Sequence, residues 1–505
     1  ITSAILEVLD STIVNVALPQ MAGNLGATSE EIGWVSTGYI LSNVVVLPMT
    51  AWLSGRFGRK RYLTASIFIF MIASFFCGTS STLIQLVFWR IMQGAGGAAL
   101  LSTAQATLRE IFPARQQGMV QSIYVLGIIV APTVGPTLGG WITDNYSWPW
   151  VFFVNLPLGL ISAAIVYFLL EDPDYQVRHT KVDWGGIGLL AVGLGTLQYV
   201  LEEGNSEDWF ESAMIVRLSI ISVVSLVSLI IWEMHPRNPG PIVNFRILKN
   251  KQLSASMLLF VALGFGLYGG IFIFPLFAQN ILHFTPTQTG MVLFPGGMAT
   301  AASALFCGRL LSARKLKINP RYLIFSGLLM FAYSMWMLGH LTTLSGEPDT
   351  RMGLILRGFG LGLLFIPINI AALSSLKGAE VPQAAAMINL TRQLGGSFGI
   401  AVLGTYVTNR SAMHRAALSR NFYSGNPMFQ DRLHAISGSL TLRGLDPVSA
   451  SNGALKIIGN SVRVQASTMA FNDCFILIGL ALILVSPMVF ILKNSNSAPV
   501  ADAGH

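Results

Sequence analysis

"SGRFGRKRYL", residues 54–63, is a short, strongly basic turn between two apolar runs, and "CGRLLSARKLKINPRYL", residues 307–323, echoes it. Gly55-Arg56 matches Gly308-Arg309, and Arg61-Tyr62-Leu63 matches Arg321-Tyr322-Leu323. A second echo sets "WRIMQGAGGA" against "LRGFGLGLL" at a similar offset, with Arg90 opposite Arg357. A chain that repeats a basic turn and a buried-arginine segment in this way is built from two related halves, an arrangement common in membrane transporters.

Composition supports that reading. The 505 residues are 53% hydrophobic and 11% charged, and the mean hydropathy is +0.61, far from the balance of a soluble globular chain. Apolar runs of about 20 residues, enough to cross a bilayer core of ~30 Å as helix, recur along the chain. Fourteen spans are expected, near 1–19, 33–54, 61–80, 82–107, 117–141, 149–170, 184–202, 212–233, 253–279, 286–311, 320–340, 351–374, 382–408 and 471–493. The fold class is therefore an all-α membrane protein. Residues 1–170 form a first six-helix bundle, 171–252 a linker with two extra spans, and 253–493 a second bundle with an external loop at 409–470 and a tail at 494–505.

Basic residues set the orientation. Eighteen Lys and Arg residues lie at the connections after even-numbered spans, whereas the short connections after odd-numbered spans hold Arg351 alone. By the positive-inside rule both termini are expected to be cytoplasmic. The long connection 409–470 holds seven basic residues, but charges in long loops carry little orientational weight. Its last part, "ALKIIGNSVRVQASTMAF", could be an amphipathic helix leading into the final span. The chain begins at Ile1 without an initiator Met, which predicts residues before it, and no cleavable signal peptide is recognisable. Cys77, Cys307 and Cys474 are scattered and read as packing residues, with no metal site expected.

Within the first span Glu7, Asp10, Ser11 and Asn15 share one helical face. Carboxylates in hydrocarbon are costly, so this stripe faces the interior, and two neighbouring buried acids suit proton exchange. Arg90, followed by Gly94, Gly96 and Gly97, cannot face lipid and calls for an interior partner. Arg357 and Arg392 occupy similar glycine-rich settings and, with Asn15, are candidates for a substrate cavity. Arg217 lies near a span end, where its stem can snorkel. In "GIIVAPTVGPTLGGWI", Gly127, Ala131, Gly135 and Gly139 recur every four residues, Gly140 extends the smooth face, and Pro132 and Pro136 bend the helix. This close-packing surface is expected to seal one half against the other. Arg56, Gly58, Arg59 and Lys60 form the basic turn, an orientation signal that also suits a rigid latch.

These segments resemble the major facilitator superfamily, in particular its fourteen-helix drug:proton antiporter branch of the EmrB and QacA type. "LDSTIVNVALP" is similar to the first-helix signature, "RIMQGAGGA" to the proton-linked arginine motif and "GIIVAPTVGPTLGGWI" to the antiporter motif; "WPWVFFVNLPLG" and "LEEGNSEDWF" add to the likeness. The resemblance implies proton-driven export of hydrophobic or amphipathic compounds through the lipid bilayer, in the inner membrane of a bacterial cell, with Asp10 and Arg90 in coupling and Gly135-Pro136 at the seam; Glu7, on the same helical face as Asp10, would serve as a proton relay. It also implies a periplasmic adaptor protein and an outer-membrane channel as partners, no cofactor beyond the proton gradient, and no nucleic acid. Ala51 and Gly55 stand where the cytoplasmic-loop motif has Gly and Asp, so a latch charged at that Asp is not expected here. A dedicated metabolite, fatty-acid or lipid exporter on the same fold is the alternative. No Gly-x4-Gly-Lys-Ser/Thr loop supports an ATP-driven pump, and no His-Glu-x-x-His supports a membrane metalloenzyme.

Overall fold

The computed structural model describes residues 1–28, 31–113, 116–171, 182–235, 241–312, 319–374, 376, 378, 380–420, 422–423 and 425–492. The expected tail at 494–505 lies outside them. Among the described residues all regular structure is helical. The first half comprises α1 (Thr2–Leu25), α2 (Trp34–Val46), α3 (Thr50–Phe57), α4 (Arg59–Gly78), α5 (Leu83–Ile111), α6 (Gln117–Asn145), α7 (Trp150–Phe153) and α8 (Asn155–Leu169). Helices α9 (Trp184–Glu203) and α10 (Ala213–Met234) form the insert. The second half comprises α11 (Lys251–Asn280), α12 (Pro286–Ser312), α13 (Pro320–Leu338), α14 (Glu347–Ser374), α15 (Glu380–Ser419), α16 (Pro427–Leu442) and α17 (Pro447–Val485). With α2–α3 and α7–α8 each making one span, every expected span has its helix.

Local chemistry explains several boundaries. The basic turn is a reversal at Gly58, whose φ of 87° ends α3 and starts α4 in a region that favours glycine. Helix α13 begins where the Asn319 side chain accepts a hydrogen bond from the Arg321 N–H at 3.1 Å, with Pro320 in the first turn.

Ten helices or continuous helical segments among the described residues are apolar and long enough to cross a membrane. Of the fourteen spans, α1, α5, α6 and α15 fall short of that measure, and they carry Glu7 and Asp10, Arg90 and Gln93, the glycine stripe, and Asn389 and Arg392. Glu7, Asp10, Arg90, Gln93, Asn389 and Arg392, which lower hydropathy in these helices, are buried inside the protein. Lipid-facing α10 is the reverse case, with Ile220, Val223, Val224 and Val227 exposed.

The two halves pack alike. In the first, α1 lies against α6, α2 against α5, and α4 against α5 and α8; in the second, α11 lies against α15, α12 against α14, and α13 against α14 and α17. Directly between the halves, α6 packs along α12, and α15 meets α3 and α5. The insert spans the seam indirectly: α9 packs on α2 of one half and α15 of the other, and α10 packs on α9.

The connection at 409–470 is largely helical instead of an open loop. Helix α15 runs 40 residues and α17 runs 39, with α16 between them. At ~1.5 Å per residue, about 60 Å of helix is roughly twice a bilayer core, so both helices project well beyond the membrane. At the base of this projection Asp473 accepts hydrogen bonds from Arg410 Nε at 2.6 Å and His414 Nε2 at 2.8 Å, tying α17 to α15.

Candidate functional site: a buried ion pair at the centre of the first half

Asp10 and Arg90 meet in the interior. Arg90 Nη1 donates to Asp10 Oδ2 at 2.7 Å, and the two side chains are 1% and 0% exposed. Burying an ion pair repays its desolvation only when other donors and acceptors support it, and here both Asp10 oxygens and the Nε and Nη1 of Arg90 have partners. Arg90 Nη1 also donates to Gln93 Oε1 at 2.8 Å, and its Nε to the Val35 carbonyl at 3.0 Å. The guanidinium carbon lies 4.3 Å from the Tyr39 ring centroid. Asp10 Oδ1 accepts from Gln93 Nε2 at 2.9 Å and Asn155 Nδ2 at 2.6 Å, and both amides also donate to Ser74 Oγ. Helices α1, α2, α4, α5 and α8 thus converge on one carboxylate.

Glu7 is one turn away on the same helix but bonded differently. Asn43 Nδ2 donates to its Oε1 at 3.1 Å, while its buried Oε2 has no hydrogen-bond partner among the described residues. The side chain is 8% exposed and lies within electrostatic reach of Arg392 in the opposite half. Asn15, at the far end of the stripe, is exposed and accepts from Ser36 Oγ at 2.9 Å. The stripe therefore splits into a sealed ion pair, a half-bonded acid and an open amide.

In the second half Arg392 Nη1 donates to the Tyr268 hydroxyl at 2.9 Å and Nη2 to Asn389 Oδ1 at 3.3 Å. Asn389 Nδ2 donates in turn to Gln105 Oε1 at 2.7 Å, and Gln105 Nε2 donates to Asn369 Oδ1. Gln105 sits on α5, so three amides cross from one half to the other. Arg357, the repeat counterpart of Arg90, has no such shell and is not brought to the Asp10 cluster: its Nη1 is buried with no partner among the described residues.

The glycine stripe of α6 does not face the other half. A Cβ on Gly127 would stand 2.7 Å from the Ile5 side chain, on Gly135 2.2 Å from Thr12 Oγ1, and on Gly139 2.7 Å from the Ile13 carbonyl, so the stripe packs α6 onto α1 inside the first half. Gly140 is looser, its nearest neighbour being Val16 at 3.8 Å, and Ala131 is buried. The side chains of Pro132 and Pro136 lie outside the described residues. Small-residue spacing permits a close approach without naming the helix that makes it. The contact across the halves uses the start of α6: Gly118 and Gly308 place their carbonyls 2.5 and 2.6 Å from each other's Cβ positions, and Met119 N–H donates to Ser312 Oγ at 3.2 Å.

The basic turn is held to its own half. Arg59 is buried and paired with Glu110 at the end of α5, Arg56 stacks over Trp52 with its guanidinium carbon 5.6 Å from the ring centroid, and Lys60 Nζ lies 5.2 Å from that of Tyr167. Pro382 of α15 lines a small pocket with Ala51, Ser54 and Arg59, which brings the second half up to this turn. The named direct contacts between the halves thus gather toward the end that carries the basic connections.

Sequence reasoning found the charged residues but missed Gln93, Asn155, Asn43, Ser74, Gln105, Asn369 and Asn389. The signal was present: amides inside apolar runs, each of which needs a partner when buried.

The chain matches the family described as the Major Facilitator Superfamily over residues 1–400. It is 32% identical to the multidrug export protein EmrB of Haemophilus influenzae over 94% of this chain and 93% of that one. It is 31% identical to the fatty acid resistance protein FarB of Neisseria gonorrhoeae, over 97% and 94%. Among solved structures, the human organic anion transporter MFSD10 superposes with a TM-score of 0.56 at 12% identity, covering 95% of this chain and 97% of that one. The structural likeness is one of fold.

Proposed function

Because this chain belongs to the Major Facilitator Superfamily and is a multi-pass membrane transporter, we propose that it exports hydrophobic or amphipathic compounds, drugs among them, in exchange for protons. The observation that carries the proposal is the Asp10–Arg90 pair, buried and with both carboxylate oxygens hydrogen-bonded, one helical turn from the half-bonded acid Glu7. A proton arriving at Glu7 or Asp10 changes the charge of the interior, weakens the hold on Arg90 or Arg392, and biases the two halves between opposite openings. The membrane potential adds about 2.3 kcal/mol per charge per 100 mV. The proton gradient takes the place of a cofactor.

The likeness to proteins named for multidrug export supports drug-like substrates. The likeness to a fatty acid resistance protein supports a second reading, in which the cargo is a fatty acid or lipid. The basic connections support a cytoplasmic side for those loops and both termini, and the likeness to bacterial exporters supports an inner-membrane location. The halves then meet at the cytoplasmic end and the conformation is outward-facing. On the same orientation α15, α16 and α17 project into the periplasm, where they would meet an adaptor protein leading to an outer-membrane channel.

The test is transport in proteoliposomes under an imposed pH gradient, comparing the native chain with Asp10→Asn. Efflux that follows the gradient in the native chain and ceases to follow it in the variant is expected. Undiminished gradient-driven efflux in the variant would remove Asp10 from coupling.

A further inference from the structure

The repeat relates Arg90 to Arg357, yet the two arginines live in opposite surroundings. Three residues after Arg90 stands Gln93, which bonds both to the guanidinium and to Asp10. Three residues after Arg357 stands Gly360, with no side chain to offer, packed so closely on α13 that an added Cβ would lie 2.9 Å from the Gly327 carbonyl. Helix α11 occupies in the second half the place of α1 in the first. The residue it sets beside the Arg357 guanidinium is Gly270, where a Cβ would stand 3.0 Å from Nη1; the next nearest atoms, 3.9 and 4.0 Å away, also belong to Arg357.

The second half has therefore kept the cation and dropped both the carboxylate and the amide. The acidic residues of the second half are engaged or placed elsewhere: Glu347 and Asp349 lie in the first turn of α14, where Glu347 pairs with Arg351, Glu380 lies in the first turn of α15, Asp431 and Asp446 belong to α16 and the start of α17, and Asp473 pairs with Arg410 and His414. An arginine inside a membrane bundle with an unsatisfied nitrogen is expensive, and such a residue marks a ligand or ion path. The guanidinium lies against Gly270, and its Nη1 has no acidic partner among the described residues.

We propose that Arg357 is an anion subsite of the transport pathway, in which the carboxylate of an amphipathic substrate seats beside Gly270 and completes the pair that Asp10 completes in the first half. The guanidinium donates to the head group and the apolar body lies along the surrounding helices. This deepens the export reading above and rests on it for the word substrate, but its test needs no transport.

The full chain in lipid nanodiscs is titrated by calorimetry, without any gradient, with decanoate, decanol and decyltrimethylammonium, against empty nanodiscs. The native chain is expected to bind decanoate, and Arg357→Gln to weaken that binding at least tenfold while changing decanol and the cation little. Arg357→Lys should keep part of the affinity. Gly270→Asp installs the missing acid against a flexible neighbour; it should fold with an unchanged or higher melting temperature and lose decanoate binding, and it carries the test if Arg357→Gln does not fold. Decanoate affinity that is absent in the native chain, unchanged in both variants, or lost equally for all three probes overturns the proposal. A failure of gradient-driven efflux with decanoate binding intact would count against the export reading alone.

Discussion

Asp10 Oδ1 accepts a hydrogen bond from Asn155 Nδ2 at 2.6 Å, which joins the first helix of the chain to the sixth span at the carboxylate that Arg90 holds from the other side. Neither residue is charged enough alone to fix this geometry; it is the combination of amides and guanidinium that leaves both Asp10 oxygens occupied. Asn155→Leu keeps the volume and removes the donor. A loss of about 1–3 kcal/mol is expected from the orphaned acceptor, seen as a lower melting temperature together with weaker coupling of efflux to the pH gradient. Full coupling at native stability would show that Arg90 and Gln93 suffice.

Gln105 is the amide that crosses from α5 to Asn369 and Asn389. Gln105→Leu leaves both asparagines short of a partner in the closed arrangement but not in one where the halves have parted. Its effect should therefore appear as a shift of population, about 1–3 kcal/mol or 5- to 150-fold. A cysteine placed at buried Ser122, beside Gly308 of the other half, reports it through its labelling rate with a water-soluble maleimide. Faster labelling in the Gln105→Leu background is expected, and an unchanged rate would mean that the backbone contacts of α6 and α12 hold the closure by themselves.

The α6 stripe gives a matched pair of substitutions. Gly135→Val drives a side chain into Thr12, while Gly140→Ala adds a methyl with nothing closer than Val16 at 3.8 Å. Overpacking at the first should cost about 1–3 kcal/mol, and the second should be close to neutral. Because α1 carries Asp10 and Glu7, displacing it should also lower efflux. Equal melting temperatures for the two variants would contradict the α1–α6 packing.

Arg59 and Glu110 pair across the ends of α4 and α5, with the arginine buried. In a double-mutant cycle of Arg59→Gln and Glu110→Gln, an interaction energy of about 0.5–3 kcal/mol is expected from melting data. Strict additivity would place the buried guanidinium's support elsewhere.

The sequence disclosed the spans because hydrocarbon demands long apolar runs, and the basic residues that crowd one side are the basis of the orientation proposed for them. It also disclosed Asp10, Glu7 and Arg90, since charge among apolar residues stands out. It did not disclose who pairs with whom. Gln93, Asn155 and Asn43 are neutral and come from four different helices with the acids they serve, so no periodicity along one helix could join them. The glycine stripe was legible as a contact surface but not as a contact with α1. At 409–470 the chain leaves the membrane and hydropathy no longer distinguishes a helix from a loop; the segment leading into the final span was legible as an amphipathic helix and is part of α17, whereas the continuation of α15 and the helix α16 were not.

The insert holds one more consequence. On one side of α9 the Tyr199 ring lies 5.7 Å from that of Trp34 in α2; on the other, Gln198 donates to Ser397 at 2.9 Å and Trp209, just beyond the helix, to Thr405 at 2.7 Å, both on α15. An aromatic contact slides at little cost, whereas directional hydrogen bonds do not. If the halves swing, these hydrogen bonds predict that the extra pair of helices rides with the second half and slides along α2 of the first.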